Sequence, residues 1–423
     1  MAMANNIYVI DTLAKNGQTI TVIDDGSGSD WLTIDGVYNA RTDIRLSWES
    51  SNGVSQSGSG FYFTNANIGS RLIVNGLIEN VRGSNGLDFI QGNERANVLY
   101  GDKAATGAGG ADILWGFDGN DTIYGGAGND EIAGGGGNDK LFGGNGNDDI
   151  AGGAGTDIIE GGTGADTLRG GADVRDRVSY AGSASGVTIT LTHGATTTGS
   201  GGDAQGDKIG GFLDAQGSAH DDRITDGVSD TIAFGYNDNR FFGGDGNDTL
   251  SLGGGNDYGL GEAGNDTVAG GLGEDRLYGG DGQDYLSGSS GNDLLKGDAG
   301  NDKLYGGSGA DDLFGGVGAD RFVFVSKSDS TVSSTGRDTI YDFSGTDGDR
   351  IDLSSMDAKT TSSGNQAFAF IGTAAFHGTA GELRYVKTSS DTYVYGDVNG
   401  DKTADFAVHL DDAVTMQSGY FTL

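Results

Sequence analysis

Large apolar side chains recur every nine residues through much of this chain, with polar residues and glycines between them. In the stretch GGAGNDEIAGGGGNDKLFGGNGNDDIA, at 125–151, an aliphatic residue stands two positions after an aspartate three times in succession. The recurring apolar residues form two runs, and Gly259 interrupts the second of them. The apolar residues of the first run are Leu114, Ile123, Ile132, Leu141, Ile150, Ile159 and Leu168, and those of the second are Leu250, Val268, Leu277, Leu286, Leu295, Leu304, Leu313 and Phe322.

The nine-residue period predicts short strands separated by glycine turns. An α-helix has 3.6 residues per turn and would scatter these apolar residues over several faces, and each interior glycine would cost it about 1 kcal/mol. A strand around the apolar residue, followed by a turn of the form GGxGxD, fits the pattern because glycine adopts backbone angles closed to other residues. Two such units make one coil of 18 residues, and stacked coils form parallel strands around a thin apolar interior. We therefore expect an all-β fold containing parallel β-rolls.

The runs and the segments around them predict five regions. Residues 1–82 contain the short alternating runs TITVI, WLTI, DIRLSW and GFYF, which indicate a small antiparallel β domain. The first roll is expected at 83–178 and the second at 217–323. Residues 179–216 form a spacer with short strands, because GVTITLT alternates apolar and polar residues. The strand-like segments of 324–423, among them ELRYV and TYVYG, predict a C-terminal β module.

The composition indicates that this fold needs cations. The chain has 423 residues, of which 83 are glycine, no proline, no cysteine and a formal net charge of −36. Low hydrophobicity with a high charge of one sign opposes collapse. The chain shows no basic patch for a nucleic acid, no cysteine for a disulfide, and no apolar stretch near the roughly 18 residues that cross a bilayer. Its first residues, MAMANNIYVID, lack the features of a secretory signal, so we expect a soluble protein that is exported by another route.

The GGxGxD turn offers the ligands that calcium prefers. Ca²⁺ takes six to eight oxygen ligands from carboxylates and backbone carbonyls in flexible geometry, whereas Mg²⁺ demands a near-ideal octahedron. Aspartates 18 residues apart, such as Asp148 and Asp166, should lie in adjacent coils with an ion between them. The predicted ligands of the two runs are Asp112, Asp121, Asp130, Asp139, Asp148, Asp157 and Asp166, then Asp248, Asp257, Asp266, Asp275, Asp284, Asp293, Asp302, Asp311 and Asp320.

Calcium should therefore act as a part of the fold. If each ion bridges adjacent coils, about 12 ions bind, and they carry roughly +24 against the negative charge of the protein. Without metal the rolls should be disordered, because the binding free energy is then folding free energy. A low-complexity linker is the alternative, but a linker has no reason to keep aspartates in phase with an aliphatic residue.

Two further calcium sites are predicted in the C-terminal region. The segment DVNGDKTAD places Asp397, Asn399, Asp401 and Asp405 at positions 1, 3, 5 and 9, as at the start of an EF-hand loop, although Val408 stands at position 12; a solvated β-turn is the alternative. A second acidic cluster could cap the last coil with a further ion. Its members are Asp338, Asp342, Asp347, Asp349 and Asp352.

The repeats resemble those of the RTX (repeats-in-toxin) proteins, whose nonapeptide GGxGxDxUx builds a calcium-filled parallel β-roll. The resemblance covers about 83–323. The C-terminal segments GADRFVF, RDTIYDFSGTDGDRIDLSSMDA, AFAFIGTAAFHGTAGELRY and GDVNGDKTADFAV are similar to the C-terminal module of the serralysin metalloproteases. The resemblance implies a protein that leaves a Gram-negative cell through a type I secretion apparatus, addressed by its C-terminus, and that folds in extracellular calcium.

The sequence predicts no enzyme. The four histidines are isolated, no H-E-x-x-H motif is present for zinc hydrolysis, and no G-x-S-x-G motif is present for a nucleophilic serine. We therefore expect a structural protein of the cell surface, a surface-layer or extracellular-matrix component, that self-associates and docks to the cell envelope. Tyr124 and Phe142, 18 residues apart at an outward position, are candidates for a lateral contact stripe. The alternative is a soluble secreted effector, or an adhesin or lectin that uses Trp31, Trp48 and Tyr62 of the N-terminal region.

Overall fold

The computed structural model describes residues 82–423, apart from 84–86, 103–108, 172–174, 193, 228–237 and 362, together with the backbone of five short strands before them. The chain forms two compact units, Met1–Asp214 and Ala215–Leu423. In the described residues the secondary structure is β, with single turns of 3₁₀ helix at Gly202–Ala204 and Ser418–Tyr420, so the all-β prediction is confirmed. Within these same residues, no helix is long and apolar enough to cross a membrane.

In the first repeat array, each strand pairs in parallel with the strand one coil further along the chain. Ile132 lies opposite Ile150 in one sheet, and Leu141 lies opposite Ile159 in the other. Successive strands therefore alternate between two sheets, as the predicted 18-residue coil requires. The strands are Asp88–Gln91, Val98–Tyr100, Ile113–Asp118, Thr122–Ala127, Glu131–Gly136, Lys140–Asn145, Asp149–Ala154, Ile158–Thr163 and Thr167–Gly171.

The second array repeats the same arrangement within the other unit. Leu286 lies opposite Val268 and Leu304, and Leu277 lies opposite Leu295, all in parallel register. The strands are Arg223–Asp226, Arg240–Asp245, Thr249–Gly254, Tyr258–Ala263, Thr267–Leu272, Arg276–Asp281, Tyr285–Ser290, Leu294–Ala299, Lys303–Ser308, Asp312–Phe314 and Arg321–Val323.

The core of each array is a stack of the predicted apolar residues. Ile123, Leu141, Leu277 and Leu295 are completely buried, and the remaining members of both runs are buried to the same degree or within 1% of it. Burial of one such side chain contributes roughly 1.5–3 kcal/mol. Because every coil adds the same small contribution, stability grows with the number of stacked coils rather than with the width of the core.

Gly259, the exception in the apolar series, is explained by packing. A Cβ at this position would lie 2.6 Å from Val268 Cγ1 and 3.1 Å from Leu252 Cδ1. Leu252 is fully buried and stands where neighbouring repeats carry the first glycine of the turn. The leucine and the glycine have thus exchanged places across the core, and the interior volume is kept.

The N-terminal strands pair in parallel, so the prediction of an antiparallel domain at 1–82 is wrong in strand direction. Ile7–Ile10 pairs with Trp31–Ile34, which pairs with Asn80–Arg82, while Thr42–Arg45 pairs with Ser70–Ile73. The last strand of each series then pairs in parallel with a strand of the first array. Alternation of apolar and polar residues identifies a strand but not the direction of its partner, and here the open edge of a parallel stack sets that direction. The boundary at residue 82 stays a prediction.

The predicted spacer at 179–216 contains short strands, as expected, and two strands of this region extend the first array. The strands of this region are Arg177–Ser179, Thr188–Leu191, Thr196–Thr198, Lys208–Gly210 and Asp214–Gln216. Arg177–Ser179 pairs in parallel with Ile158–Thr163, and Lys208–Gly210 pairs in parallel with Thr167–Gly171. The side chains of Trp31, Trp48 and Tyr62, the candidates for a carbohydrate site, lie outside the described residues.

The C-terminal region begins as a continuation of the second array and ends as an antiparallel sheet. Thr339–Ile340 and Arg350–Asp352 pair in parallel with the last strands of the repeats. Glu382–Lys387, Thr392–Asp397 and Phe406–Leu410 then form antiparallel neighbours. Short strands at Ala369–Phe370 and Phe421–Thr422 complete the region.

Candidate metal centre

The turn of each repeat depends on a left-handed backbone at its second glycine. Gly126, Gly135 and Gly144 have φ of 110°, 114° and 108°. Other residues occupy this position in four repeats and keep the same sign of φ, at Phe117, Glu262, Ser289 and Asp298. Such angles are strained for residues with a Cβ, so the stacked coils impose the turn even where glycine is missing. This turn delivers the aspartate of the motif to the interior.

The aspartates of the motif form rows that run along each array. The backbone N–H of Asp112 donates to Asp130 Oδ1 at 2.7 Å, and the N–H of Asp130 donates to Asp148 Oδ1 at 2.8 Å. A second row on the other sheet includes Asp121, whose N–H donates to Asp139 Oδ1. Two equivalent rows run through the second array. One carboxylate oxygen of each aspartate therefore holds adjacent coils together.

The other carboxylate oxygen has no hydrogen-bond partner. Oδ2 is buried and unpaired in every aspartate that the sequence predicts in the two runs: Asp112, Asp121, Asp130, Asp139, Asp148, Asp157, Asp166, Asp248, Asp257, Asp266, Asp275, Asp284, Asp293, Asp302, Asp311 and Asp320. These residues are at most 3% exposed. An unpaired buried carboxylate costs several kcal/mol, so rows of them require a compensating positive charge.

Glycine carbonyls converge on the same place as the unpaired oxygens. A Cβ added at Gly125 would lie 2.5 Å from Asp130 Oδ2 and 2.6 Å from the carbonyl oxygen of Gly143. The position equivalent to Gly125 shows the same two neighbours in most repeats. The absence of a side chain at the first glycine thus leaves a cradle lined by one carboxylate oxygen and one carbonyl oxygen.

Burial and mutual repulsion raise the pKa values of these carboxyl groups. Burial, with a further contribution from the Asp148 carboxylate, raises the pKa of Asp130 to about 7. Burial and the neighbouring carboxylates of Asp88 and Asp130 raise the pKa of Asp112 to about 9. The protein alone therefore does not supply the charge that would keep the rows ionised at neutral pH.

The donor set fits calcium. Every ligand that the cradles offer is an oxygen, from a carboxylate or a backbone carbonyl, and each cradle lies between adjacent coils. Hard cations with flexible coordination prefer such ligands. When bound, calcium would supply the missing positive charge, and the row aspartates with the carbonyl groups of the first glycines would hold it. Asp257 differs from the others, because Leu252 fills the position of its first glycine.

The rows extend further than the sequence analysis predicted. Asp166 N–H donates to Asp207 Oδ1 and Asp157 N–H donates to Asp176 Oδ1, so Asp207 of the spacer and Asp176 of the predicted first roll continue the rows of the first array. Both are followed after two positions by an apolar residue, which is the signal that could have identified them. Insertions hide them because they break the nine-residue phase. The other row members missing from the predicted ligands are Asp88, Asn97, Asp222 and Asn239.

Protein groups close several row ends. The hydroxyl group of Tyr180 donates to Asp207 Oδ2 at 2.9 Å, in a fully buried position. Ser218 donates to Asp222 from both its backbone N–H and its hydroxyl group. At the far end of the second array, Ser344 N–H donates to Asp349 Oδ2. These oxygens are occupied by donors, which distinguishes these three row ends from the interior cradles.

The structure divides the predicted acidic cluster at the last coil. Asp338 and Asp349 continue the two rows, by accepting from the N–H groups of Asp311 and Asp320. Asp342 accepts from the N–H groups of two glycines of the last turn. Asp347 bonds to Ser344, and Asp352 bonds to Ser354 and lies 3.4 Å from Arg321. The cluster therefore caps the last coil, but its five carboxylates do not meet at one point.

The EF-hand-like segment forms a loop whose carboxylates serve its own backbone. Asp397 is fully buried, and its oxygens accept from the N–H groups of Asn399, Gly400 and Lys402. Asp405 Oδ2 accepts from the N–H of Val398, and Asp401 is exposed. The loop is therefore hydrogen-bonded within itself, and the buried Asp397 distinguishes it from the solvated β-turn of the alternative. Calcium binding by these residues stays a prediction.

Comparison with known proteins agrees with this geometry. The RTX calcium-binding nonapeptide repeat matches at residues 82–105, 106–141, 124–159, 142–174, 234–268, 260–295 and 287–322. No curated protein matches the chain. Two solved structures are similar to part of it, both from the Azotobacter vinelandii mannuronan C5-epimerase. The AlgE6R2 subunit is 26% identical over 37% of this chain and 89% of that structure, with a TM-score of 0.28. The AlgE6R3 subunit is 30% identical over 38% of this chain and 79% of that structure, with a TM-score of 0.18.

The match to the repeat and the buried rows of aspartate identify the same residues. The matched segments span both arrays, including all the aspartates predicted in the two runs. Their spacing, their unpaired oxygens and the adjacent glycine carbonyls are those of a repeated calcium site. The chain therefore carries two arrays of RTX calcium-binding nonapeptide repeats.

Proposed function

We propose that this protein is a secreted structural component of the bacterial cell surface, in a surface layer or extracellular matrix, that folds and assembles when it binds calcium. The proposal includes export through a type I secretion apparatus of a Gram-negative cell and docking to the cell envelope. It assigns no enzymatic activity to the chain. The observation that carries it is a row of stacked aromatic side chains on the outer face of the first array.

This row follows the coil spacing. Tyr100, Tyr124 and Phe142 occupy the same register position in three successive strands of one sheet. The ring centroids of Tyr100 and Tyr124 are 4.7 Å apart, those of Tyr124 and Phe142 are 4.9 Å apart, and each pair is within 8° of parallel. Arg82 lies 4.6 Å from the Tyr100 centroid. All of these side chains are half-buried, so the row presents a flat, partly apolar strip along the roll.

The second array carries a similar row. Tyr278 and Phe314 flank Lys296, whose ammonium nitrogen lies 5.9 Å and 5.0 Å from their ring centroids. Phe314 stacks on Tyr341 at 4.6 Å. Aromatic residues are enriched at protein interfaces, whereas scattered surface aromatics carry no such meaning. The repetition of the feature in both arrays supports lateral association.

Calcium would couple folding to association. The aromatic side chains align only because the strands stack in register, and the strands stack only if the buried carboxylates are neutralised. We therefore expect the strip to be absent from the metal-free chain. Secretion of an unfolded chain into a calcium-rich medium would then place both folding and assembly outside the cell.

The proposal is tested by imaging assembly. The full chain is purified in chelator, transferred to millimolar calcium, and examined by negative-stain electron microscopy and analytical ultracentrifugation. We expect ordered sheets or filaments with calcium and none without it. The double substitution Tyr124→Thr and Phe142→Thr keeps residues suited to strands and should abolish assembly, with the calcium-induced change in circular dichroism intact.

A matched control changes the equivalent positions of the opposite sheet. Ala133 and Ala151 are half-buried and lie opposite each other in register. Substitution of both by threonine should leave assembly unchanged. A wild-type chain that orders with calcium but stays monomeric at every concentration would contradict the structural role and favour the soluble effector or adhesin.

A further inference from the structure

The antiparallel strands Thr392–Asp397 and Phe406–Leu410 bring together three side chains outside the aspartate rows. Thr392 lies opposite Leu410, and Tyr393 lies opposite His409. The same register continued by one residue sets Asp391 opposite Asp411. Because side chains two residues apart share a face of a strand, Asp391, His409 and Asp411 all project from one face of this pair.

The potential ligand atoms of these side chains are close together. His409 Nε2 lies 2.9 Å from Asp391 Oδ1. One ligand atom from each of Asp391, His409 and Asp411 falls within a span of 4.8 Å. His409 and Asp391 are 18% and 25% exposed, and Asp411 is at the surface, so the group is shielded on one side and open to solvent on the other.

Two carboxylates in directly opposite positions are destabilising unless a positive charge lies between them. The residues packed around His409 hold its ring in the orientation that meets this need. Thr339 Oγ1 lies 3.2 Å from Nδ1, and the ring stacks on Tyr393 with centroids 4.7 Å apart. Arg337 lies 5.1 Å from the centroid of the Tyr393 ring. The histidine is therefore the group directed at the carboxylate.

The second oxygen of Asp391 is also oriented by neighbours. Its Oδ2 accepts hydrogen bonds from the hydroxyl groups of Ser390 and Thr388. Metal ligands in proteins are oriented by hydrogen bonds to their other polar atoms. Here hydroxyl groups contact the second nitrogen of the histidine and the second oxygen of the carboxylate. These contacts leave Nε2 and Oδ1 facing each other.

We propose that Asp391, His409 and Asp411 bind a divalent transition-metal ion, for which Zn²⁺ is the reference, with water completing its coordination. An imidazole nitrogen beside two carboxylates suits such an ion, whereas calcium prefers the all-oxygen cradles of the rows. Two ligands at about 2.1 Å from one tetrahedral ion lie about 3.4 Å apart, so Nε2 and Oδ1, which are 2.9 Å apart, would separate by roughly 0.5 Å when the ion binds. The proposal does not depend on the proposed function.

Such an ion would join the beginning of one strand to the end of its neighbour. Asp391 immediately precedes Thr392–Asp397, and Asp411 immediately follows Phe406–Leu410. Phe406–Leu410 also pairs in parallel with Thr339–Ile340, which carries Thr339. The ion would therefore stabilise the C-terminal region by a contact chemically separate from the calcium rows.

The experiment is a calorimetric titration of ZnCl₂ into the full chain, kept in excess calcium so that the rows are occupied. We expect one zinc site of micromolar affinity, and Co²⁺ in the same position should give a visible absorption band typical of mixed nitrogen and oxygen ligands. His409→Gln should remove the site. Asp411→Asn, at an exposed position that folding tolerates, should weaken it at least about tenfold.

The matched control is His377, which lies 2.8 Å from Glu382 Oε1 but belongs to no three-ligand group in the described part of the chain. His377→Gln should leave zinc binding unchanged. Absence of zinc binding in the calcium-loaded wild type would overturn the proposal and leave a proton between Nε2 and Oδ1. Zinc binding that survives His409→Gln would also overturn it, because the acidic surface alone would then be responsible.

Discussion

The two oxygens of each row aspartate have different roles. In Asp148, Oδ1 accepts the N–H of Asp130 and so joins two coils, while Oδ2 is buried without a donor. The hydrogen bond that Oδ1 accepts does not depend on bound metal. The unpaired Oδ2 makes the folded state costly without a cation, since a buried anion without a partner is destabilising by several kcal/mol. One residue thus contributes both the register of the roll and its dependence on calcium.

Acid should substitute in part for calcium. Burial raises the folded-state pKa of Asp148 to about 6, of Asp130 to about 7 and of Asp112 to about 9, against 3.8 as the reference value. A raised folded-state pKa favours folding most below the reference value, and that contribution is lost as the pH rises through about 6 to 9. In chelator, circular dichroism should therefore show more strand at pH 3 than at pH 7.5.

The calcium-loaded chain should respond in the opposite direction, because protons displace the metal from carboxylates. Calcium-dependent order should be complete at pH 7.5 and should decline on acidification. Equal order at pH 3 and pH 7.5 in chelator would show that the row carboxylates do not oppose folding.

Much of this residue-level chemistry could be predicted from the sequence. The nine-residue phase identified the aspartates of both runs and the buried apolar residue after each of them except Asp257, because the copies of a repeat can be aligned with one another. Asp176 and Asp207 were not predicted, because insertions displace them from the nine-residue phase. In the structure the stacked coils nevertheless place them in the aspartate rows. The different roles of Oδ1 and Oδ2 could not be predicted from residue types, because they depend on the register between coils.

At the scale of the turn, the two leading glycines serve different purposes. The second, as at Gly126, supplies a positive φ that the turn requires. The first, as at Gly125, leaves room for Asp130 Oδ2 and the carbonyl oxygen of Gly143. Repeats with Phe117 or Glu262 at the second position show that strain there is tolerated. Leu252 shows that the first position can also be filled, at the expense of the cradle beside Asp257.

Gly125→Ala should therefore block one calcium cradle, at a position where φ is not in the left-handed region. The new Cβ would take the space between Asp130 Oδ2 and the Gly143 carbonyl oxygen, so we expect the loss of bound calcium at this turn and weaker hydrogen-exchange protection in the adjoining coils. Native mass spectrometry would count the ions.

Gly136→Ala is the matched control. Its nearest contact would be Asp118 Oδ1 at 3.1 Å, and other repeats carry alanine or asparagine at this position. Stability should change by less than about 1 kcal/mol and the ion count should not change. An equal loss of calcium in both variants would refute the distinction between the two positions.

Strand direction shows the limit of sequence reasoning at this scale. The runs WLTI and DIRLSW identified strand-forming segments, and strands occur at Trp31–Ile34 and Thr42–Arg45. Their alternation is equally compatible with parallel and antiparallel neighbours, so the predicted antiparallel pairing had no support from the pattern itself. In the arrays, by contrast, the repeat of 18 residues determined the partner and its direction together.

At the scale of the whole molecule, the arrays belong to separate compact units. Their cores contact only neighbouring coils, and the stability of such a stack is a sum of local terms. A net charge of −36 opposes the folding of both, but calcium bound in one array neutralises mainly the carboxylates nearby, because charges more than about 10 Å apart are screened by salt.

Asp148→Asn should consequently affect the first array alone. The substitution keeps an oxygen acceptor for Asp130 N–H and removes the charge of Oδ2, so the first array should bind fewer ions and lose hydrogen-exchange protection around residues 130–166. The second array should keep its protection.

Asp149→Asn is the control for this variant. Asp149 is the adjacent residue, is exposed and forms an ion pair with Arg169, and such surface pairs contribute about 0–1 kcal/mol. Its loss should leave both arrays protected. Equal loss of protection in both arrays of Asp148→Asn would contradict their independence.

Every interior coil has the same chemistry on its two faces as the coils beside it: carboxylate oxygens toward the N-terminal side and backbone N–H groups toward the C-terminal side. The number of coils can therefore change while the residues of the other coils stay the same. Insertion or deletion of 18 residues would alter the roll by roughly 4.8 Å and leave the aromatic row on its original face. A change of nine residues would turn everything after it to the opposite face. Duplication of one coil in the gene would therefore lengthen the roll by one strand spacing, so the length of the roll can be set in steps of that size.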